Sequence, residues 1–265
     1  MEAVLPNGSN YPMDSAPILT DIQNCNLPQV SWVIPDGNWS DHAADGAPGD
    51  GGPSWVAAIV NALGNSWAQS MGGGHCDYWG GYGTSTLTHP TVILVVWDDW
   101  GGYYDDVVPP DCTSSPCTGY SNLTGGQYVY GFRVPLLVVS AYAKQGYVSG
   151  ANVFPPSCSP PNTYCHDFGS ILNFVEYAFG TGGNPLGYPG GINPQYPYAD
   201  ALVMDTAAAP NNYSLYDFFN FQSNPNPFQT INGAKYLPRC FHNPHGSGCF
   251  QTYPMDPDND ANESD

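Results

Sequence analysis

Thr91-Val-Ile-Leu-Val-Val-Trp-Asp98-Asp99-Trp-Gly-Gly-Tyr-Tyr-Asp105-Asp106 joins the most β-prone run of the chain to its densest knot of carboxylates. Six apolar residues in a row, Val92 to Trp97, predict a strand covered on both faces, as in a parallel sheet with helices above and below. Such a sheet keeps its ligands at the carboxyl ends of its strands. Asp98 and Asp99 sit at that end, and Gly101-Gly102 then allows a sharp turn without a Cβ penalty. Two adjacent carboxylates repel each other unless something cationic lies between them. A divalent metal ion with oxygen ligands meets that need. Taken alone, Asp-Asp-x-Gly-Gly reads equally well as a loop turn, since Asp is common there for its own backbone-bonding reasons.

Working outward, Val30-Ser-Trp-Val-Ile34 predicts a short strand stopped by Pro35. The loop after it, Asp36-Gly-Asn-Trp-Ser-Asp41-His42, places two carboxylates and an imidazole just past a strand end. His42 there suits a metal or a phosphoryl oxygen, with an idle surface turn as the plainer alternative. Pro53 and Gly64 bracket Ser54 to Leu63, whose Val56, Ile59, Val60 and Leu63 fall at helical spacing. That helix links the His42 loop to the strand ending in Asp98, so both candidate loops would share one edge of the sheet. Residues 71–83 form a glycine-aromatic tract without a period, read as a flexible insertion, with His75 and His89 as weak ligand candidates.

Beyond the carboxylates, Tyr128 to Ser140 predicts a second buried strand. Arg133, at its start, would clamp a phosphate or neutralise part of the aspartate cluster. Cys165-His166-Asp-Phe-Gly-Ser170 opens a helix from Ile171 to Phe179, whose first amides favour an anion. Ser170 and His166 lack a nucleophile elbow and read as helix caps. Ser214 to Phe221 looks like a short aromatic helix or anchor. Together these signals predict an α/β fold with a parallel-rich central sheet flanked by helices. Strands are expected near 30–34, 91–97 and 134–140, helices near 54–64 and 169–179, and long loops from 31 Gly and 27 Pro. No internal boundary stands out, so 1–265 is expected to be a single domain, with residues 1–17 and 256–265 flexible.

Charge narrows the partners. Four basic residues against 23 acidic ones, a net charge of −19, exclude nucleic acid and disfavour an anionic membrane surface. A phosphate-bearing substrate would need a metal to offset that field locally. No apolar run approaches the roughly 20 residues of a transmembrane helix. Eight cysteines suit an oxidising compartment, outside the cytosol. Cys112 with Cys117, Cys158 with Cys165 and Cys240 with Cys249 would close small rings, leaving Cys25 and Cys76 as a long-range pair. Spacing alone does not decide the connectivity. The first residues have neither a basic nor an apolar leader segment, so secretion or periplasmic residence is expected without a signal peptide in this chain.

Several of these motifs together resemble one family. Leu27 to Asp36 followed by Ser40-Asp-His42, the helix from Ser54, Val96 to Asp105, Gly131-Phe-Arg-Val-Pro135, and His166 to Leu172 are similar to the bacterial phosphoesterases, which include phospholipases C and acid phosphatases. Ala199-Asp-Ala201, Tyr216-Asp-Phe-Phe-Asn-Phe221 and Pro227-Phe228 look like its closing segment. The resemblance covers roughly residues 18 to 231. It implies an alkaline-phosphatase-like fold and metal-assisted hydrolysis of a phosphate ester, a small molecule or a phospholipid headgroup. Asp98 and Asp99 would be metal ligands and His42 would contact the phosphoryl group, with Asp41, Arg133 and His166 as further substrate contacts.

Three departures accompany the resemblance. The family's N-terminal half, with a Glu-Asn metal pair and a Ser or Thr nucleophile, has no counterpart here. The family's Tyr-Asp-His-Val reads Tyr104-Asp-Asp-Val107. Residues 70–88 have no counterpart in most relatives. These departures imply that the chain is the C-terminal portion of the family fold and lacks turnover alone. The alternative from another class is a catalytically dead secreted module that binds a ligand on its Tyr- and Trp-rich surface.

Overall fold

The computed structural model describes residues 17–35, 39–40, 51–69, 76–80, 90–106, 131–149, 166–179, 215–242 and 247–249. Its regular elements are helices α1 (Pro17–Gln23), α2 (Gly51–Gly64) and α3 (Ser66–Gln69), strands β1 (Ile93–Val96) and β2 (Leu136–Val139), helix α4 (Phe168–Phe179), a 3-10 turn (Tyr216–Phe218) and helix α5 (Pro238–His242). The two strands pair in a two-stranded sheet. The chain gathers into two compact units. One unit comprises residues 1–95, 139–141 and 224–265, the other 96–138 and 142–223.

The first unit is built around α2. Its run of Ala, Val, Ile and Leu offers apolar surface on nearly every side, so helices α1, α3 and α5 pack against it. Ile18, Leu19 and Ile22 of α1 join Trp55, Ile59 and Leu63 of α2 in one buried cluster with Trp39, Tyr78, Tyr236 and Phe241. Trp39 meets Phe241 edge to face, with ring centroids 4.5 Å apart. Each fully buried aromatic or aliphatic side chain of this kind contributes about 1.5–3 kcal/mol. Two disulfides, Cys25–Cys76 and Cys240–Cys249, staple the rim of the cluster. Both are among the pairs expected from spacing; the remaining four cysteines lie outside the described residues.

Side-chain oxygens on α2 fix the irregular C-terminal segment. Ser54 Oγ accepts the amides of Lys235 and Tyr236 at 3.1 and 3.2 Å. Asn61 both donates to the carbonyl of Ile231 (2.9 Å) and accepts its amide (2.8 Å). Backbone groups that no ladder satisfies are thereby paired. Gly64 ends the helix where only a glycine fits: a Cβ there would lie 2.2 Å from the ring of Phe228.

Two expectations are revised here. Residues 31–35 form no strand, and Trp32 and Ile34 are 64% and 83% exposed. Pro28 and Pro35 bracket the stretch, and it pairs with no other strand among the described residues, so a ladder has no donors to build on. The glycine-aromatic tract is also not all flexible surface loop, because Cys76, Asp77, Tyr78 and Trp79 are buried. Tyr78 donates its amide to Ser66 Oγ (2.9 Å) and accepts the Leu27 amide on its hydroxyl (3.0 Å), so a loop becomes core through its hydrogen bonds.

Candidate functional site

Asp98 and Asp99 follow the end of β1 by two and three residues and are both exposed. The amide of Gly101 donates to Asp99 Oδ1, which closes a turn on the carboxylate. Gly101 and Gly102 have φ of +62° and +72°, a left-handed pair that side chains resist, so the Gly-Gly dipeptide is what lets the chain reverse here. Trp100 lies across Gly131, where a Cβ would stand 2.4 Å from the indole, and meets Phe132 edge to face at 6.0 Å. Tyr104 tilts against the same phenyl ring at 5.4 Å. The acidic turn is therefore rimmed by exposed aromatics, Trp100, Tyr103 and Tyr104.

The guanidinium of Arg133 grips Asp105, six residues beyond Asp99. Nε reaches Oδ2 at 2.7 Å and Nη2 reaches Oδ1 at 2.9 Å, a two-pronged match of fork to carboxylate. Asp106 stands farther off, at 3.8 Å. The hydrogen bond to Asp105 raises the guanidinium pKa further, against a smaller opposing effect of burial. Of the two roles open to Arg133 in the sequence, the contact seen is neutralisation of the aspartates.

The second constellation is half-buried and gathers around the buried Asp217. His166, just before α4, has Nε2 3.0 Å from Ser149 Oγ and 3.4 Å from Asp217 Oδ1. Ser149 Oγ donates to Asp217 Oδ2 at 2.7 Å, and Tyr147 Oη donates to the same oxygen at 2.9 Å. Lys144 Nζ donates to the Asp217 carbonyl at 2.6 Å. The single hydroxyl hydrogen of Ser149 is spent on Asp217, so the bond between Ser149 and His166 must carry the imidazole hydrogen. His166 thus bears a proton on Nε2.

This is not a nucleophilic triad. In a triad the serine and the carboxylate engage opposite ring nitrogens, whereas here both face Nε2. Burial pushes the Asp217 carboxyl up, but hydrogen bonds from His166 and Ser149, the charge of His166 and the Tyr147 hydroxyl outweigh it, and the group lies below the usual carboxylate range. A carboxylate so stabilised is a poor base for activating Ser149.

Of the residues singled out in the sequence, Asp98, Asp99, Arg133 and His166 are described, whereas Asp41 and His42 lie outside the described residues. Ser170 is a cap, as its neighbours suggest: the Asp167 amide donates to Ser170 Oγ and the Ser170 amide to Asp167 Oδ1, each at 3.0 Å. Sequence reasoning missed Ser149, Tyr147, Lys144 and Asp217. One signal was present, since an aspartate between Tyr216 and Phe218-Phe219 places a carboxylate in apolar surroundings and demands a partner.

Residues 80–182, which contain the acidic turn, Arg133, Ser149 and His166, match the model of the phosphoesterase family. Over these residues the chain is similar to the phosphoesterase family. It is 28% identical over 172 residues to a non-hemolytic phospholipase C of Burkholderia pseudomallei, covering 60% of this chain and 20% of that protein. It is 28% identical over 258 residues to phospholipase C B of Mycobacterium tuberculosis, covering 88% of this chain and 38% of the relative. A non-hemolytic phospholipase C of Pseudomonas aeruginosa is 25% identical over 242 residues, 78% of this chain and 31% of its own length. The chain therefore spans between a fifth and two fifths of these relatives. No solved structure matches it.

Two exposed carboxylates suit a hard cation in kind, being oxygen donors of full charge. Among the described residues no three His, Cys, Asp or Glu side chains gather to hold a metal ion. No helix among the described residues is long and apolar enough to cross a membrane.

Proposed function

We propose that this chain is the part of a secreted, metal-assisted phosphate-ester hydrolase of the phospholipase C or acid phosphatase type that carries the Asp98–Asp99 turn, on an alkaline-phosphatase-like sheet. The observation that carries the reading is the family match over 80–182, with the two carboxylates held forward on a glycine turn past β1. A divalent ion bound there would polarise the phosphoryl group. Asp98 and Asp99 would hold that ion together with groups beyond the described residues, His42 would contact the phosphoryl oxygen, and Asp41 would belong to the same loop. The disulfides and the phospholipase C relatives support an oxidising, extracytosolic location.

Calorimetric titration with a divalent ion, followed by inorganic phosphate, tests this reading. Asp98→Asn and Asp99→Asn are expected to weaken metal binding about tenfold or more, since each removes a charge facing the ion. His42→Ala is expected to spare the metal and weaken phosphate. Unchanged metal affinity in both aspartate variants would sink the assignment.

The exposed cluster of Trp100, Tyr103 and Tyr104 favours a second reading, a module that binds its ligand without turning it over. Phosphate release from a simple ester, measured with metal present, separates the two.

A further inference from the structure

Asp217 is 4% exposed, and the chain strains its backbone to put it there. Leu215, fully buried, adopts φ +60° and ψ 8°, a left-handed conformation that non-glycine residues disfavour. Immediately after it, the 3-10 turn carries Asp217 to His166, while Lys144 and the antiparallel bridge between Ala143 and Phe219 lock the turn to residues 142–149. The ring of Phe218 lies against the imidazole at 5.2 Å and against Tyr147 at 5.6 Å, so the histidine is held by packing as well as by charge. His166 keeps 13% of its side chain exposed, which leaves part of the ring reachable. Three separate stretches of chain converge to set one ring.

We propose that Asp217 and Ser149 are positioning residues that hold the His166 imidazole with Nε2–H turned inward and its charge retained, so that its exposed part meets the phosphoryl group of an ester substrate. The proposal rests on the phosphoesterase reading above. Its logic is that an imidazole in water spends its time in two tautomers and many orientations, whereas a ring bonded to a fixed hydroxyl beside a buried carboxylate has one. A retained positive charge is of particular use in a chain with four basic residues, where phosphate otherwise meets a strongly negative field. Among the described residues, the ionisable groups facing the ring or its partners are Asp217, Tyr147, Lys144 and Asp167, and the last is engaged with Ser170. Asp217 is the closest opposite charge.

Nuclear magnetic resonance of the histidine ring in the full chain tests this, with His166→Gln used to assign the signals. The His166 ring is expected to titrate at higher pH in the parent chain than in Asp217→Asn, because the variant removes the carboxylate 3.4 Å from Nε2. Ser149→Ala is expected to leave the ring charged at low pH but to let both tautomers appear once it is neutral. Inorganic phosphate is expected to shift the His166 signals, with about tenfold weaker binding in Asp217→Asn from the loss of one charge-assisted hydrogen bond. A titration midpoint unmoved in Asp217→Asn overturns the positioning role. If that variant fails to fold, a single unchanged tautomer in Ser149→Ala overturns it instead. Signals of His166 that phosphate leaves in place overturn the phosphoryl contact, whereas a phosphate response at His166 without ester turnover would count against the hydrolase reading alone.

Discussion

Arg133 and Asp105, 28 residues apart, meet through two parallel hydrogen bonds of 2.7 and 2.9 Å, so the only guanidinium of the motif is committed to an aspartate of the same motif. The pair ties the turn after β1 to the approach to β2. Its guanidinium is 59% exposed, so solvent and salt screen the attraction.

Replacing Arg133 by Lys keeps the charge and removes the fork. The expected cost is about 0.2–1 kcal/mol in chemical denaturation at low salt, shrinking as salt is added. A loss well beyond that range, insensitive to salt, would show that the contact acts through packing instead.

The acid limb of the stability curve should belong partly to Asp217. Its folded pKa lies below its unfolded value, so its contribution is complete above about pH 4, the unfolded carboxyl range, and is lost as pH falls through the lowered folded value. Asp217→Asn is therefore expected to lower the melting temperature at pH 7 and to flatten its decline as the pH falls below about 4. Parallel melting curves for the parent and the variant across that range would contradict it.

Gly64 offers a steric test in the other unit. Alanine is normally the better helix former by about 1 kcal/mol. Here its Cβ would enter the Phe228 ring, which also packs on Trp79 at 4.8 Å. Gly64→Ala is expected to cost about 1–3 kcal/mol net of that gain. Adding Phe228→Leu should recover part of the loss, a coupling that a thermal double-mutant cycle reads directly.

The sequence by itself determined the local pieces. The helices came out within a few residues of expectation because Pro53, Gly64, Asp167 and Ser170 act on their own neighbours. The two strands formed as cores of the predicted runs, at 93–96 and 136–139, since β-branched residues favour extended backbone wherever they find a partner. The acidic turn was legible for the same reason: Asp99 and Gly101 solve their geometry within three residues.

Tertiary structure decided what depends on distant partners. Val30 to Ile34 has the composition of a strand but finds none to pair with among the described residues, and Cys76 to Trp79 has the composition of a loop yet is buried through Ser66, Leu27 and Cys25. Arg133 could have faced a ligand until Asp105 was seen to occupy its fork. The partners of His166 were the least legible, because Ser149 and Asp217 lie 17 residues before it and, from Ser149, 68 residues on. A hydrogen bond carries no trace of itself in sequence spacing when separate loops bring its two ends together. Only the buried carboxylate in its aromatic run hinted that such a partner had to exist, and the fold alone determined which imidazole it was.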